Sequence, residues 1–178
     1  MIQFAETEIT FTPDFEWRLL QEARARMPGA ALAAAHHLRT KVIERLSGQR
    51  SGREYFVPGA RSATYRASQP DEAPASATGK LRQNVNVEGP VVSADEVGAA
   101  VGVDGARVPY ARRLELGGVH VQAETQPVRT PNGWITVKAG TVIRIAPRPY
   151  LRPTFMQERE TVLAIMQAAV NRLERFER

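Results

Sequence analysis

The chain contains no cysteine, and that one absence removes thiol catalysis, cysteine-ligated zinc and disulfide frameworks together. It fits a reducing cytoplasm. Long apolar runs are also missing: no stretch approaches the ~18 consecutive apolar residues that a membrane-spanning helix needs. The opening Met1-Ile2-Gln3-Phe4-Ala5-Glu6 has neither a basic n-region nor an apolar run of signal-peptide length, so the reading has no membrane role and no visible secretion signal.

Histidine is scarce, with three in the chain. His36 and His37 are adjacent, and neighbours on a helix point about 100° apart, unlike the i, i+4 pair of a helical zinc site. His120 has no nearby cysteine or carboxylate pair from which to build a nucleophile, base and orienter. Asp71, Glu72, Asp95, Glu96 and Asp104 fall in loops or turns and Glu115 in a short helix, where solvation and turn capping explain them. Gly102-Val103-Asp104-Gly105 lacks the glycine spacing and following helix of a phosphate loop. The residues nominate no catalytic group, metal or cofactor.

What is present is an ordinary globular composition. In 178 residues, 43% hydrophobic and 24% charged, a single domain over residues 1–178 can bury roughly two thirds of its unfolded surface. The net charge is +5, and residues 39–66 supply that whole excess. There Arg39, Lys41, Arg45, Arg50, Arg53, Arg61 and Arg66 face only Glu44 and Glu54. With Tyr55, Phe56 and Tyr65 interleaved, this run suits either nucleic-acid phosphates and bases or an acidic protein surface.

Periodicity divides the chain. Ile2, Phe4, Ile9 and Phe11 alternate as a short strand. Helices then begin at Pro13-Asp14, with apolar residues at three- and four-residue spacing, and Pro28-Gly29 predicts a break between two helices. Residues 48–78, rich in Gly, Ser, Pro, Ala and Arg, predict an exposed basic arm with Tyr55-Phe56-Val57 and Ala63-Thr64-Tyr65 as its strand pieces. Val85 and Val87, Val91 and Val92, and residues 97–103 predict a meander turning at Glu88-Gly89-Pro90. A short helix around Tyr110 and Leu114 follows. Then come strands at Val119 and Val121, 134–138 and 141–145, turning at Pro131-Asn132-Gly133 and Ala139-Gly140. Phe155, Val162, Met166, Ala169, Leu173 and Phe176 mark a last helix, with Thr154 as its N-cap. The fold class is α+β: a mostly antiparallel sheet with N-terminal helices, a long C-terminal helix and an extended arm.

Ahead of that helix, Ala146-Pro147-Arg148-Pro149-Tyr150-Leu151-Arg152-Pro153 carries three prolines. They fix φ and remove backbone donors, so the segment runs extended over the surface, either as a stiff linker or as a preorganised docking strip.

Taken in order, four motifs resemble a known family. They are Ser68-Gln69-Pro70-Asp71-Glu72-Ala73-Pro74-Ala75, Thr78-Gly79-Lys80-Leu81-Arg82, Val108-Pro109-Tyr110-Ala111 with Leu114-Glu115-Leu116-Gly117, and the proline segment. The chain resembles the tail-component, or tail-completion, proteins of long-tailed bacteriophages related to the lambda minor tail protein Z. That family carries Pro-Gly-Glu-Pro-Pro-like, Thr-Gly-x-Leu-Arg, Tyr-Ala…Glu-Phe-Gly and Arg-Pro-Phe-Leu-Arg-Pro-like stretches. Here Asp71 replaces the usual glycine, Leu116 stands where an aromatic is common, and residues 119–141 look like an inserted hairpin.

The resemblance implies a non-enzymatic virion protein of the head–tail neck, assembled in the bacterial cytoplasm. It would form a ring, six-fold, between the head connector proteins and the tail-tube or tail-terminator protein, with genomic DNA passing through the lumen. Tail terminators and head-closure rings are the neighbouring alternatives. The contact residues nominated are Arg53, Tyr55, Arg61, Tyr65 and Arg66 in the arm, Thr78, Gly79, Leu81 and Arg82 at the Thr-Gly step, Tyr110 and Glu115 around the short helix, and Arg148, Pro149, Tyr150, Leu151, Arg152 and Pro153.

Overall fold

The computed structural model describes residues 13–57, 62–93, 96–130 and 133–174. The expected strand over residues 2–11, together with Arg61, Asp95, Pro131, Asn132 and Phe176, lies outside them. In chain order the elements are α1 (Pro13–Ser47), β1 (Glu54–Phe56), β2 (Thr64–Arg66), α2 (Lys80–Gln83), β3 (Val85–Val92) and β4 (Val97–Val103). They continue as α3 (Ala111–Leu116), β5 (Gly118–Val121), β6 (Gln126–Thr130), β7 (Gly133–Val137), β8 (Val142–Ile145) and α4 (Leu151–Glu174). The α+β class holds.

The N-terminal helical region is one helix of 35 residues, not two, and it runs through Pro28. A proline there removes one backbone donor and costs roughly 3 kcal/mol in an isolated helix. Packing offsets it, because α4 lies antiparallel along α1 on both sides of the proline. Arg26 and Gly29 of α1 line one hollow with Ile165, Ala169 and Arg172 of α4. Further along, His37 Nε2 meets Glu158 Oε2 at 2.7 Å, and Arg45 Nη1 donates to Gln157 Oε1 at 3.0 Å.

The strands form four separate two-stranded antiparallel ladders rather than one sheet: β1-β2, β3-β4, β5-β8 and β6-β7. The expected three-stranded meander is a single hairpin, since β3 continues through Gly89-Pro90 with a register shift between Glu88 and Val91. Gly89 sits at φ +111, a conformation glycine adopts freely, so the would-be turn is absorbed as a bulge. This hairpin lies on α1, where Arg39 Nε donates to the Val85 carbonyl at 2.8 Å.

The core joins distant parts of the sequence. Val42 and Leu46 of α1 meet Ala73, Leu81, Val85, Val108, Ala111 and Tyr150, with Leu114 and Leu151 packed against them. Burying such side chains stabilises by about 1.5–3 kcal/mol each for the larger ones.

The arm is less exposed than its composition predicts. β1 pairs with β2, Tyr55 opposite Tyr65 with ring centroids 6.1 Å apart. Its base is fastened: Gly52 N–H donates to the Ala67 carbonyl at 3.0 Å, and a Cβ on Gly52 would stand 2.4 Å from that oxygen. Glu72 accepts from the Ser51 and Gln69 backbone N–H groups, and these bonds hold its carboxyl below the ordinary range. Ala73 and Pro74, expected to run exposed, are buried.

Candidate interaction surface

The proline segment is positioned by three independent anchors. Arg148 N–H donates to the Leu114 carbonyl at 2.6 Å, Arg148 Nε to the Ser68 carbonyl at 3.3 Å, and Asp71 N–H to the Pro147 carbonyl at 3.0 Å. Only the part up to Tyr150 is irregular. Leu151, Arg152 and Pro153 form the first turn of α4, so the helix begins earlier than expected.

Thr154 is therefore not the N-cap. It is buried within the helix, and its hydroxyl donates back to the Tyr150 carbonyl at 2.6 Å. The cap comes from another element. The Glu115 carboxylate accepts from Tyr150 N–H at 2.7 Å, Leu151 N–H at 3.0 Å and Arg152 N–H at 2.9 Å. A carboxylate on the free donors of a helix start satisfies them and meets the positive end of the helix dipole.

Several nominated contact residues thus hold the fold. Tyr150 is 1% exposed, and burial beside the Glu115 charge pushes its phenol up to about 12. Leu81 is buried in the same core. Their side chains are not available to a neighbour. Gly79, at φ +74, starts α2 with a conformation that suits glycine, and Arg82 Nη1 donates to Ser47 Oγ at 3.1 Å. Tyr110, Arg152 and Thr78 are exposed, whereas Pro149, Leu151 and Pro153 are half-buried.

The basic run does not form one patch. Arg39 and Arg50 are turned inward on backbone carbonyls, Arg50 on those of Pro74 and Arg45, and Arg45 reaches Gln157 of α4. Lys41 pairs with Glu44 at 2.9 Å. Arg53 and Arg66 sit exposed on the β1-β2 hairpin, and Tyr55 and Tyr65 share its half-buried face.

Beside the capped helix start lies an open groove of about 930 Å³. One wall is β4 (Ala99, Ala100, Val101) with Leu38 and Val42 of α1, and the opposite rim is Leu116, Pro147 and Pro149. Phe155 and Met156 complete it on the α4 side. Leu116 is 65%, Phe155 51% and Met156 60% exposed. Phe155 therefore does not belong to the buried stripe assigned to it. The half-buried residues of α4 are Leu151, Pro153, Glu158, Val162, Ile165, Met166, Ala169 and Val170, so Val162, Met166 and Ala169 of the expected stripe do face inward.

Where a hairpin over residues 119–141 was expected, a longer paired ribbon stands. β5-β8 and β6-β7 lie in series along one ribbon, residues 118–145, joined where Gln122 N–H donates to the Thr141 carbonyl at 2.9 Å and Gly140 N–H to the Gln122 carbonyl at 2.8 Å. Ala139-Gly140 is a kink in one arm of this ribbon, and β7 does not pair with β8. Val119, Val121, Trp134, Ile135, Val142 and Ile143 are all exposed on it. Sequence reasoning had no means to find this surface, because alternation marks a strand without saying whether either face is covered.

Among the described residues no group of three or more His, Cys, Asp or Glu residues could hold a metal ion, and no helix is long and apolar enough to cross a membrane. Comparison with protein-family models, with curated proteins and with solved structures finds no match to this chain.

Proposed function

We propose that this chain is a non-enzymatic structural subunit of the head–tail neck of a long-tailed bacteriophage, closing into a ring that completes the tail where it meets the head connector. The observation that carries the reading is convergence. The four motifs behind the family resemblance, spread from Ser68 to Pro153, meet in one cluster: Ala73, Leu81, Val108 with Ala111, and Tyr150 pack together, and Glu115 caps the helix that follows Tyr150. Motifs that assemble into one structural unit support the view that they are inherited as a set.

Asp71 adds a second support. It is the only non-glycine residue with positive φ, +64, among the described residues, and it stands where the family pattern carries glycine. A left-handed position is one that glycine fills without strain and aspartate tolerates. The exposed apolar residues around the groove and along the ribbon suit a protein whose surface is completed by neighbours.

In this role the protein acts by binding its own copies, the tail-tube or terminator protein and the connector, inside the virion. Tail-terminator and head-closure rings share that chemistry, and position in the particle separates them. Contact with lumen DNA would fall to exposed cations such as Arg53 and Arg66, without sequence readout and with steep salt dependence. The test is mass measurement and electron microscopy of the purified protein and of particles from the parent phage. A closed ring in the neck is the expected result. A protein that stays monomeric at all concentrations and is absent from finished particles would refute the proposal.

A further inference from the structure

We propose that the ribbon of residues 118–145 seats its apolar surface in the groove of a second copy of this chain, so that each subunit gives a ribbon to one neighbour and receives one from the other. The inference rests on the self-assembly part of the ring reading and supplies its contact.

The described residues leave the ribbon's large apolar side chains at Val119, Val121, Trp134, Ile135, Val142 and Ile143 exposed. Among the described residues, its strands pack extensively only on their own ladder partners. Trp134, 69% exposed, and Ile135 lie near its tip, with Val119, Val121 and Val142 nearer its base. Cross-strand neighbours share a face of a ladder, so Val121 and Val142 stand together beside the Val119 position. Aromatic anchors of this kind bury about 150–250 Å² each on docking, which makes Trp134 the natural centre of a contact.

The groove is the matching surface. Its walls are small or apolar (Ala99, Ala100, Val101), and its mouth presents Phe155, Met156 and Leu116. No residue of the ribbon lines it. The ribbon nevertheless leaves the fold at its rim, directly after Leu116 and Gly117 and returning at Pro147. At ~3.3 Å per residue an arm of the ribbon reaches at most about 40 Å from that rim, enough to pass beyond its own small domain. A ribbon rooted at the rim that leaves its own groove unfilled can fill a neighbour's.

Charge agrees. By sequence the ribbon carries Arg129, Lys138 and Arg144 against Glu124, while the groove carries Asp71 and Glu115 against Arg152. Opposite net charges steer the two surfaces together. Because donor and acceptor surfaces differ, the contact is head-to-tail, the kind that generates rings.

The experiment uses complementation. Trp134→Asp with Ile135→Asp disables the ribbon, and Phe155→Asp with Met156→Asp disables the groove; all four residues are exposed, so circular dichroism and melting should match the parent chain. Each double variant alone should lose self-association by about 30-fold or more. Mixed, they should form a one-to-one dimer and stop there, since each pair retains one intact contact. As a second measurement, Trp134→Cys and Met156→Cys are the only thiols in their chains, and oxidation should cross-link the mixture but neither variant alone. If both double variants assemble like the parent chain, the inference fails and the ring reading survives through another surface. If the ribbon variant assembles normally but loses capture by the tail-tube protein, the ribbon's occupant is that protein and the inference is overturned. A parent chain that never self-associates refutes both.

Discussion

The cluster around Tyr150 and the ribbon of residues 118–145 are neighbours in the fold and opposites in construction. In the cluster, backbone donors find partners, large side chains are covered, and the residues come from five places in the sequence. In the ribbon, local pairing supplies the order and its large apolar side chains stand in solvent. The residues that give the chain its recognisable motifs are therefore chiefly those that hold it together. The ribbon's exposed apolar side chains lie outside the motifs.

The contrast breaks most directly at Tyr150. Replacing it with alanine empties the centre of the core and should cost about 3–5 kcal/mol, read as a large fall in Tm. Glu115→Gln keeps the shape of the cap but removes its charge, and a loss of about 1–3 kcal/mol in denaturant titration is expected. A loss as large as that of Tyr150→Ala would show that Glu115 does more than cap α4.

The Tyr150 phenol gives the cluster a pH signature. Its folded value is raised to about 12 from an ordinary value near 10, so folding favours the protonated form. Stability from this group is fully present below pH ~10 and is lost as pH rises toward 12. Tyr150→Phe should flatten that alkaline limb, and the parent chain should show one tyrosine absorbing late in a spectrophotometric titration. Smaller still, Asp71→Gly should be neutral or stabilise by up to about 1 kcal/mol, because glycine enters the left-handed region without strain. Trp134→Ser should change the stability of the monomer least, within about 0.5 kcal/mol, since the side chain has almost nothing to lose there.

The short helix around Leu114 and the last helix were legible in the sequence, and so was the order of the motifs, but Leu81, Glu115 and Tyr150, nominated as contacts for a neighbour, are parts of the fold. Three features were not legible. The passage of α1 through Pro28 depends on α4 lying along both sides of it, a tertiary effect that local chemistry argues against. The capping of α4 by Glu115 joins residues 35 positions apart or more, and no local motif announces such a bond; Thr154, a better N-cap by type, was nearer. At α4, Val162, Met166 and Ala169 of the expected stripe do face inward, but Phe155, which fits the same spacing, stands exposed. Where along a helix an apolar stripe stops being covered depends on what opposes it, and the sequence of one helix does not contain that.

The root of the ribbon has one more consequence. Leu114 holds Arg148 and Glu115 holds Tyr150, so the two chain segments on either side of the ribbon are already clasped before the ribbon begins. Gly117, at φ +71 and with the Ile145 carbonyl 2.9 Å from where a Cβ would lie, seals the clasp. A loop whose ends are fixed by the rest of the molecule adds little to the entropy of folding when its length changes, about 0.6 kcal/mol for each doubling. The ribbon is thus an appendage plugged into a socket. Its length and tip can be redrawn, or another hairpin grafted in its place, while the domain beneath keeps its shape.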